Sequence, residues 1–188
     1  MVLVRSATFL LVALFVALSQ GVAAGQPASP LYRLVDTASQ RLATADAVAA
    51  AKWVNGGSIT DRQRADAVLD AVAADASARG IDQGYVRAIF TDQIAATEGV
   101  EYTRFGQWKF DPATAPNTAP DLSVSRSQID EFNKVMVDEI ARQWDSLHAP
   151  SCMFELNNAI DAVATARQLD PLYRHALSAA TRSYCRIT

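Results

Sequence analysis

The chain is short of every feature that would make its chemistry obvious. Charged residues make up 20% of its 188 positions, the formal net charge is −3 and the pI is near 5.3. Without a net cationic surface, nucleic acid is excluded as a partner, and any anionic ligand must be drawn by a local cluster of cations. There are two histidines, His148 and His175, and two cysteines, with no Cys-x-x-Cys or His-x-x-x-His spacing, so no zinc or other metal site is expected. The lone histidines read as surface or capping residues. Eight glycines and seven prolines are too few for a collagen-like or linker-dominated chain. No glycine-rich phosphate loop, no Ser/His/Asp arrangement and no cofactor fingerprint can be placed. An enzyme made from this chain would need no cofactor. It would work by shape and by electrostatic stabilisation of a rearranging substrate.

Half of the residues are hydrophobic and the mean hydropathy is +0.04, which excludes disorder and a polytopic membrane protein. Residues 1–24 stand apart. Arg5 supplies a positive start, Ala7 to Leu18 form an apolar run, and Val22-Ala23-Ala24 offers small residues for cleavage. The run is shorter than the roughly 20 residues a spanning helix requires. A signal peptide cleaved near Ala24 is expected, leaving one domain over residues 25–188, exported to the periplasm or secreted, with no stable membrane anchor. Loss of Arg5 takes the formal charge from −3 to −4. In an oxidising compartment Cys152 and Cys185 read most simply as one disulfide, worth about 4 kcal/mol on the chain-entropy estimate. Two buried free thiols are the alternative.

Thirty-five alanines, few β-branched clusters and no clean period-two alternation predict an all-α domain, a single helical bundle of about six helices. The first helix is expected from about Leu31 to Val54, ended by Asn55-Gly56-Gly57. The second starts at Ser58-Ile59-Thr60-Asp61, which has a capping-box pattern, and runs to Gly80. The third spans Asp82 to Phe110. Pro112, Pro116 and Pro120 make residues 111–123 a loop. The fourth covers Val124 to Leu147, the fifth Cys152 to Gln168, and Asp170-Pro171 opens the sixth.

The informative feature is polarity inside the amphipathic pattern. Arg41 and Lys52 lie 11 residues apart on the first predicted helix, within about 20° in azimuth and roughly 16 Å along the axis. Asp61 and Arg64 occupy the first turn of the second. Gln93, Thr97 and Glu101 form a polar line on the third, and Arg126 opens the fourth. Singly, each reads as a snorkelling cation or a surface ion pair. Jointly, cations with a Glu and a Thr on four helices are what a pocket for a small dianion requires.

The stretches RLATAD, AAAKW, TDRQR, FTDQIAATEGVEYTRFGQWK, PDLSVSRSQID, APSC, LDPLYRHAL and SYC closely resemble the exported, all-helical chorismate mutases, the secreted mycobacterial members above all. The likeness runs from about Leu31 to Cys185. It implies a type II-like fold, a homodimer whose pockets each lie within one chain, and the cofactor-free Claisen rearrangement of chorismate to prephenate. It further implies that Arg41, Arg64 and Arg126 bind the two substrate carboxylates and that Lys52 donates to the ether oxygen. Glu101 would sit across that oxygen, Thr97 would touch a carboxylate, and Asp61 would orient the substrate hydroxyl or a neighbouring cation. One departure stands out. The family commonly has a carboxylate or amide just beyond the second-helix arginine, where this chain has Ala65 and Val68. The competing expectations are a non-catalytic exported helical module that binds a small dianion or a host protein, and a purely structural bundle made durable by a disulfide.

Overall fold

A computed structural model describes residues 29–186; the expected signal peptide and the start of the predicted mature domain lie outside this range. The described residues form eight α-helices and one short 3₁₀ turn. These are α1 (Tyr32–Ala43), α2 (Ala45–Asn55), α3 (Arg62–Ala78), α4 (Gln83–Phe110), the 3₁₀ turn (Pro112–Thr114), α5 (Leu122–Arg142), α6 (Trp144–His148), α7 (Cys152–Ala166) and α8 (Pro171–Ala180). None of them is long and apolar enough to cross a membrane.

The count exceeds the expected six because two predicted helices are divided. The first breaks at Thr44, whose hydroxyl donates to the Arg41 carbonyl at 2.7 Å while its backbone N–H also bonds Arg41. Such back-bonding by threonine competes with the regular ladder and bends helices. Arg41 and Lys52 therefore do not share one straight helix, and the azimuth expected for them does not apply. The fourth predicted helix breaks at Gln143, giving α5 and the single turn of α6. The predicted capping box at Ser58 also gives way. The N-cap of α3 is Asp61, which accepts from the Arg64 N–H at 3.0 Å, and the preceding residues form a loop. Asp82, Asp121 and Asp170 cap α4, α5 and α8 in the same manner.

Helix α4 is the spine. At 28 residues it is about 42 Å long, and it packs against α1, α2, α3 and α8. Its Val86, Ile89, Phe90 and Val100 meet Leu34, Val35, Ala38 and Leu42 of α1 and Met136, Val137 and Ile140 of α5 in one core. Buried alanines, among them Ala45, Ala49, Ala51 and Ala76, keep the facing helices close. Beyond the core, Trp53 of α2 packs edge to face against Phe105 and Trp108 of α4. Cys152 and Cys185 form a disulfide with Cα atoms 5.7 Å apart, so the free-thiol alternative falls. It ties the start of α7 to the segment after α8. His175 is exposed, and His148 ends α6 with Nδ1 2.7 Å from the Trp144 carbonyl.

Candidate active site

Five helices and a loop line a cavity of about 630 Å³, part of it open to solvent. Seven of the eight polar residues singled out from the sequence line it: Arg41, Lys52, Asp61, Arg64, Thr97, Glu101 and Arg126; Gln93 does not. Val48, Ile59, Ile94 and Ile129 supply apolar wall between them.

Arg41 comes from the last turn of α1, where the helix dipole favours a cation. It is only 3% exposed. Its Nε donates to Asn133 Oδ1 at 2.7 Å and its Nη1 to Thr97 Oγ1 at 3.4 Å, and the guanidinium lies 6.0 Å from the centre of the Phe90 ring. Among the described residues no carboxylate lies within 4 Å of it. Burial lowers its pKa to about 10, and the nearby Arg64 acts in the same direction; Tyr184 and Asp130 oppose them. It stays charged at neutral pH. Thr97 in turn donates its hydroxyl proton to the Gln93 carbonyl at 2.8 Å, so its lone pairs serve Arg41. Gln93, which stood on the same predicted polar line, is fully buried and donates to the Ala38 carbonyl, tying α4 to α1.

Lys52 stands in the last turn of α2 and reaches inward. Its ammonium donates to the Ile59 carbonyl at 2.7 Å and to Glu101 Oε2 at 2.8 Å. Two of its three donors are thereby used and one is left for a ligand. The loop after α2 passes close to the stem: a Cβ at Gly57 would lie 3.4 Å from Lys52 Cγ. Gly56 makes the turn possible with a left-handed φ of 73°. Glu101 is 2% exposed. Burial raises its pKa above the ordinary 4.5, the bond and charge of Lys52 pull it back, and the neighbouring Glu98 pushes it further up.

The mouth is more polar and more exposed. Asp61 Oδ1 caps α3 by accepting from the Arg64 backbone, and Oδ2 lies 3.7 Å from Arg126 Nη2. The side chains of Asp61 and Arg64 do not form the i, i+3 pair that their spacing allowed. Arg64 instead donates through Nη2 to Asp130 Oδ1 at 2.6 Å. Ala65 and Val68 line the cavity and offer it no polar side-chain atom.

Several functional groups escaped the sequence reading. Asn133 is a buried amide on α5, distant by 92 residues from the arginine it holds, and no local pattern marks it. Asp130 stands on α5, 66 residues from Arg64, and no local pattern marks it either. The Ile59 carbonyl is a backbone group and has no sequence signal. Glu98 did have one: with Ile94 and Glu101 it forms an i, i+4, i+7 line, parallel to the one read from Gln93.

The chorismate mutase type II family matches residues 32–102 of the chain. A secreted chorismate mutase of Mycolicibacterium smegmatis is 59% identical over 164 residues, covering 87% of this chain and 91% of that protein. The secreted chorismate mutase of Mycobacterium tuberculosis is 44% identical, over 94% of this chain and 88% of its own length. The crystal structure of a chorismate mutase from Burkholderia thailandensis superposes with a TM-score of 0.78 at 36% identity, covering 84% of this chain and 99% of that one. With these likenesses extending over most of its length, the chain belongs to the type II chorismate mutase family.

Proposed function

We propose that this chain is a secreted chorismate mutase that converts chorismate to prephenate within a single subunit, using no cofactor. The observation that carries the reading is Arg41. A buried guanidinium without a carboxylate partner is costly unless something else supplies the negative charge. Arg41 faces a cavity in which Lys52, Arg64 and Arg126 stand on the other walls. That arrangement suits a small dianion.

In the reaction, the ether C–O bond breaks while a C–C bond forms between the enolpyruvyl arm and the ring, and no atom or proton leaves. Arg41 takes one substrate carboxylate and Arg64 with Arg126 the other; planar guanidinium groups suit planar carboxylates. Held at both ends, the arm is folded over the ring in a near-attack geometry. The free donor of Lys52 faces the ether oxygen, where negative charge grows in the transition state. Glu101 lies beside it and favours that oxygen when protonated, a state that its burial promotes. Thr97 and Asn133 orient Arg41, and Asp61 orients Arg126 and the first turn of α3. The signal peptide, cleavage near Ala24 and assembly as a homodimer complete the proposal; every residue named at the cavity comes from one chain.

The test is a chorismate-to-prephenate assay on the purified mature protein and on Lys52→Ala. Loss of chorismate absorbance with the wild type, and a drop of about 10²–10³ in kcat for the variant, is the expected result. No turnover by the wild type would leave the non-catalytic dianion-binding module as the better account.

A further inference from the structure

The two arginines that reach the cavity from α1 and α3 are both held from α5. Arg41 gives its Nε to Asn133 Oδ1 at 2.7 Å, and Arg64 gives its Nη2 to Asp130 Oδ1 at 2.6 Å. Arg126, Asp130 and Asn133 stand at i, i+4 and i+7, on one face of α5. Arg126 lines the cavity itself, whereas Asp130 and Asn133 lie outside its lining and act on it through the arginines. Among the described residues, Asp130 is the one carboxylate within 4 Å of the Arg64 guanidinium.

Cations gathered around one hollow repel each other until a ligand arrives. For Arg41, burial is the main influence on proton affinity and Tyr184 opposes it; next come Arg64, which lowers that affinity, and Asp130, which raises it. Asp130 thus offsets part of the repulsion between the two arginines. Arg64 needs such a partner more than Arg41 does, because its side chain is 32% exposed and water competes for it. An arginine left free there loses rotamer freedom when it grips a ligand. The bond to Asp130 restricts that freedom beforehand. It occupies one of five N–H donors and leaves the others for a carboxylate.

We propose that Asp130 is a positioning residue for the rearrangement: from α5 it aims the Arg64 guanidinium into the cavity, as Asn133 aims Arg41, and so fixes the spacing of two carboxylate clamps before substrate binds. The inference rests on the chorismate mutase reading and deepens it. Spacing matters because the arm folds over the ring only when both carboxylates are held at the right separation. The two clamps are aimed by different chemistry, and exposure is the reason. The buried guanidinium of Arg41 keeps its place with a neutral amide, while the partly exposed one of Arg64 needs a charge-assisted bond to hold it against water.

The experiment is a double-mutant cycle of Asp130→Asn and Arg64→Gln, with Asp130→Ala beside them. On chorismate, kcat/KM should fall about threefold to tenfold in Asp130→Asn, between the values for an exposed ion pair and a buried charged hydrogen bond. Asp130→Ala, which also loses the acceptor, should fall at least as far. In the Arg64→Gln background, Asp130→Asn should have no further effect. Equal losses with and without Arg64 would overturn the assignment, since a role in the fold or in the overall field does not pass through that side chain. So would a lower KM in Asp130→Asn, which would make Asp130 a competitor for Arg64. A lowered melting temperature with full activity would also overturn it and leave the pair as a tie of the fold. Calorimetric titration with prephenate, the product dianion, repeats the cycle without turnover: affinity should weaken by a similar factor in Asp130→Asn when Arg64 is present, and not when it is replaced. If the wild type fails to turn chorismate over, the mutase reading falls, and this second cycle still decides whether Asp130 acts through Arg64. Absence of prephenate binding as well would bring down both.

Discussion

Arg41 and Arg104 are both arginines anchored between helices, and they sit in opposite electrostatic surroundings. Arg104 on α4 grips Asp46 of α2 with two bonds, Nε to Oδ1 at 2.6 Å and Nη2 to Oδ2 at 3.2 Å. The hydrogen bond to that carboxylate, more than any other effect, raises its proton affinity. Arg167 and Asp36 form a similar two-bond pair elsewhere on the surface. Arg41 is deeper than either, has amide and hydroxyl partners only among the described residues, and burial lowers its pKa to about 10. The surface arginines have their counter-charges built in, whereas Arg41 has geometry without neutralisation. That difference separates an arginine that ties the fold from one kept for a ligand.

Four substitutions would break or sharpen this contrast. Arg41→Met should have the largest effect. We expect kcat/KM to drop by about a hundredfold or more, as a charge-assisted carboxylate clamp is lost. Stability without substrate should change by no more than about 1 kcal/mol, because removing an uncompensated buried charge offsets the lost contacts. A fall in melting temperature that accounts for the lost activity would put Arg41 with the structural arginines.

Asn133→Ala comes next. It removes the acceptor that aims the guanidinium and should cost about tenfold in kcat/KM, read from steady-state kinetics of a variant with unchanged circular dichroism. Full activity would mean that Asn133 serves packing alone.

Glu101→Gln probes the pH limb. Raising the pH through the elevated pKa of Glu101 ionises it, so wild-type kcat/KM should decline, approaching about tenfold per pH unit beyond the inflection. The glutamine variant should be flat over that range. The linked stability runs in the same direction. A carboxyl whose folded pKa is raised stabilises the fold below its unfolded pKa and loses that contribution as pH climbs through the folded one. Wild type should therefore lose stability relative to Glu101→Gln as pH rises above the ordinary 4.5. Identical pH profiles for the two proteins would remove Glu101 from the chemistry.

Arg104→Met should do least: about 0.5 kcal/mol of stability, as befits a partly exposed ion pair, with turnover unchanged. A large loss of activity would show that the α2–α4 tie positions Lys52, and the contrast with Arg41 would narrow.

Much of this was readable in advance, for definable reasons. The all-α class was legible because alanine content and the absence of period-two alternation act over neighbouring positions. The polar exceptions to that pattern, Arg41, Lys52, Thr97 and Glu101, marked the cavity because polarity within an apolar stripe is expensive and needs a purpose. Helix ends were less legible. Ser58 and Asp61 both offer capping chemistry, and only the path of the loop that wraps Lys52 selects Asp61. The break at Thr44 was hidden in an alanine-rich run that favours an unbroken helix. The partner of Arg64 was not legible for a related reason: Asp61 is near in sequence, but one of its oxygens is taken by a backbone N–H, and the guanidinium turns to Asp130 on another helix.

The amino-acid order alone determined that the chain is helical, which faces are apolar, and which cations sit at the border of those faces, since these follow from short-range spacing. Tertiary structure decided that residues as distant as Arg41 and Asn133 meet and that, among the described residues, Arg41 has no carboxylate beside it and Asp61 is occupied while Glu98 is not. Those outcomes depend on how rigid helices cross, and a charge acquires its surroundings only when the elements around it have packed.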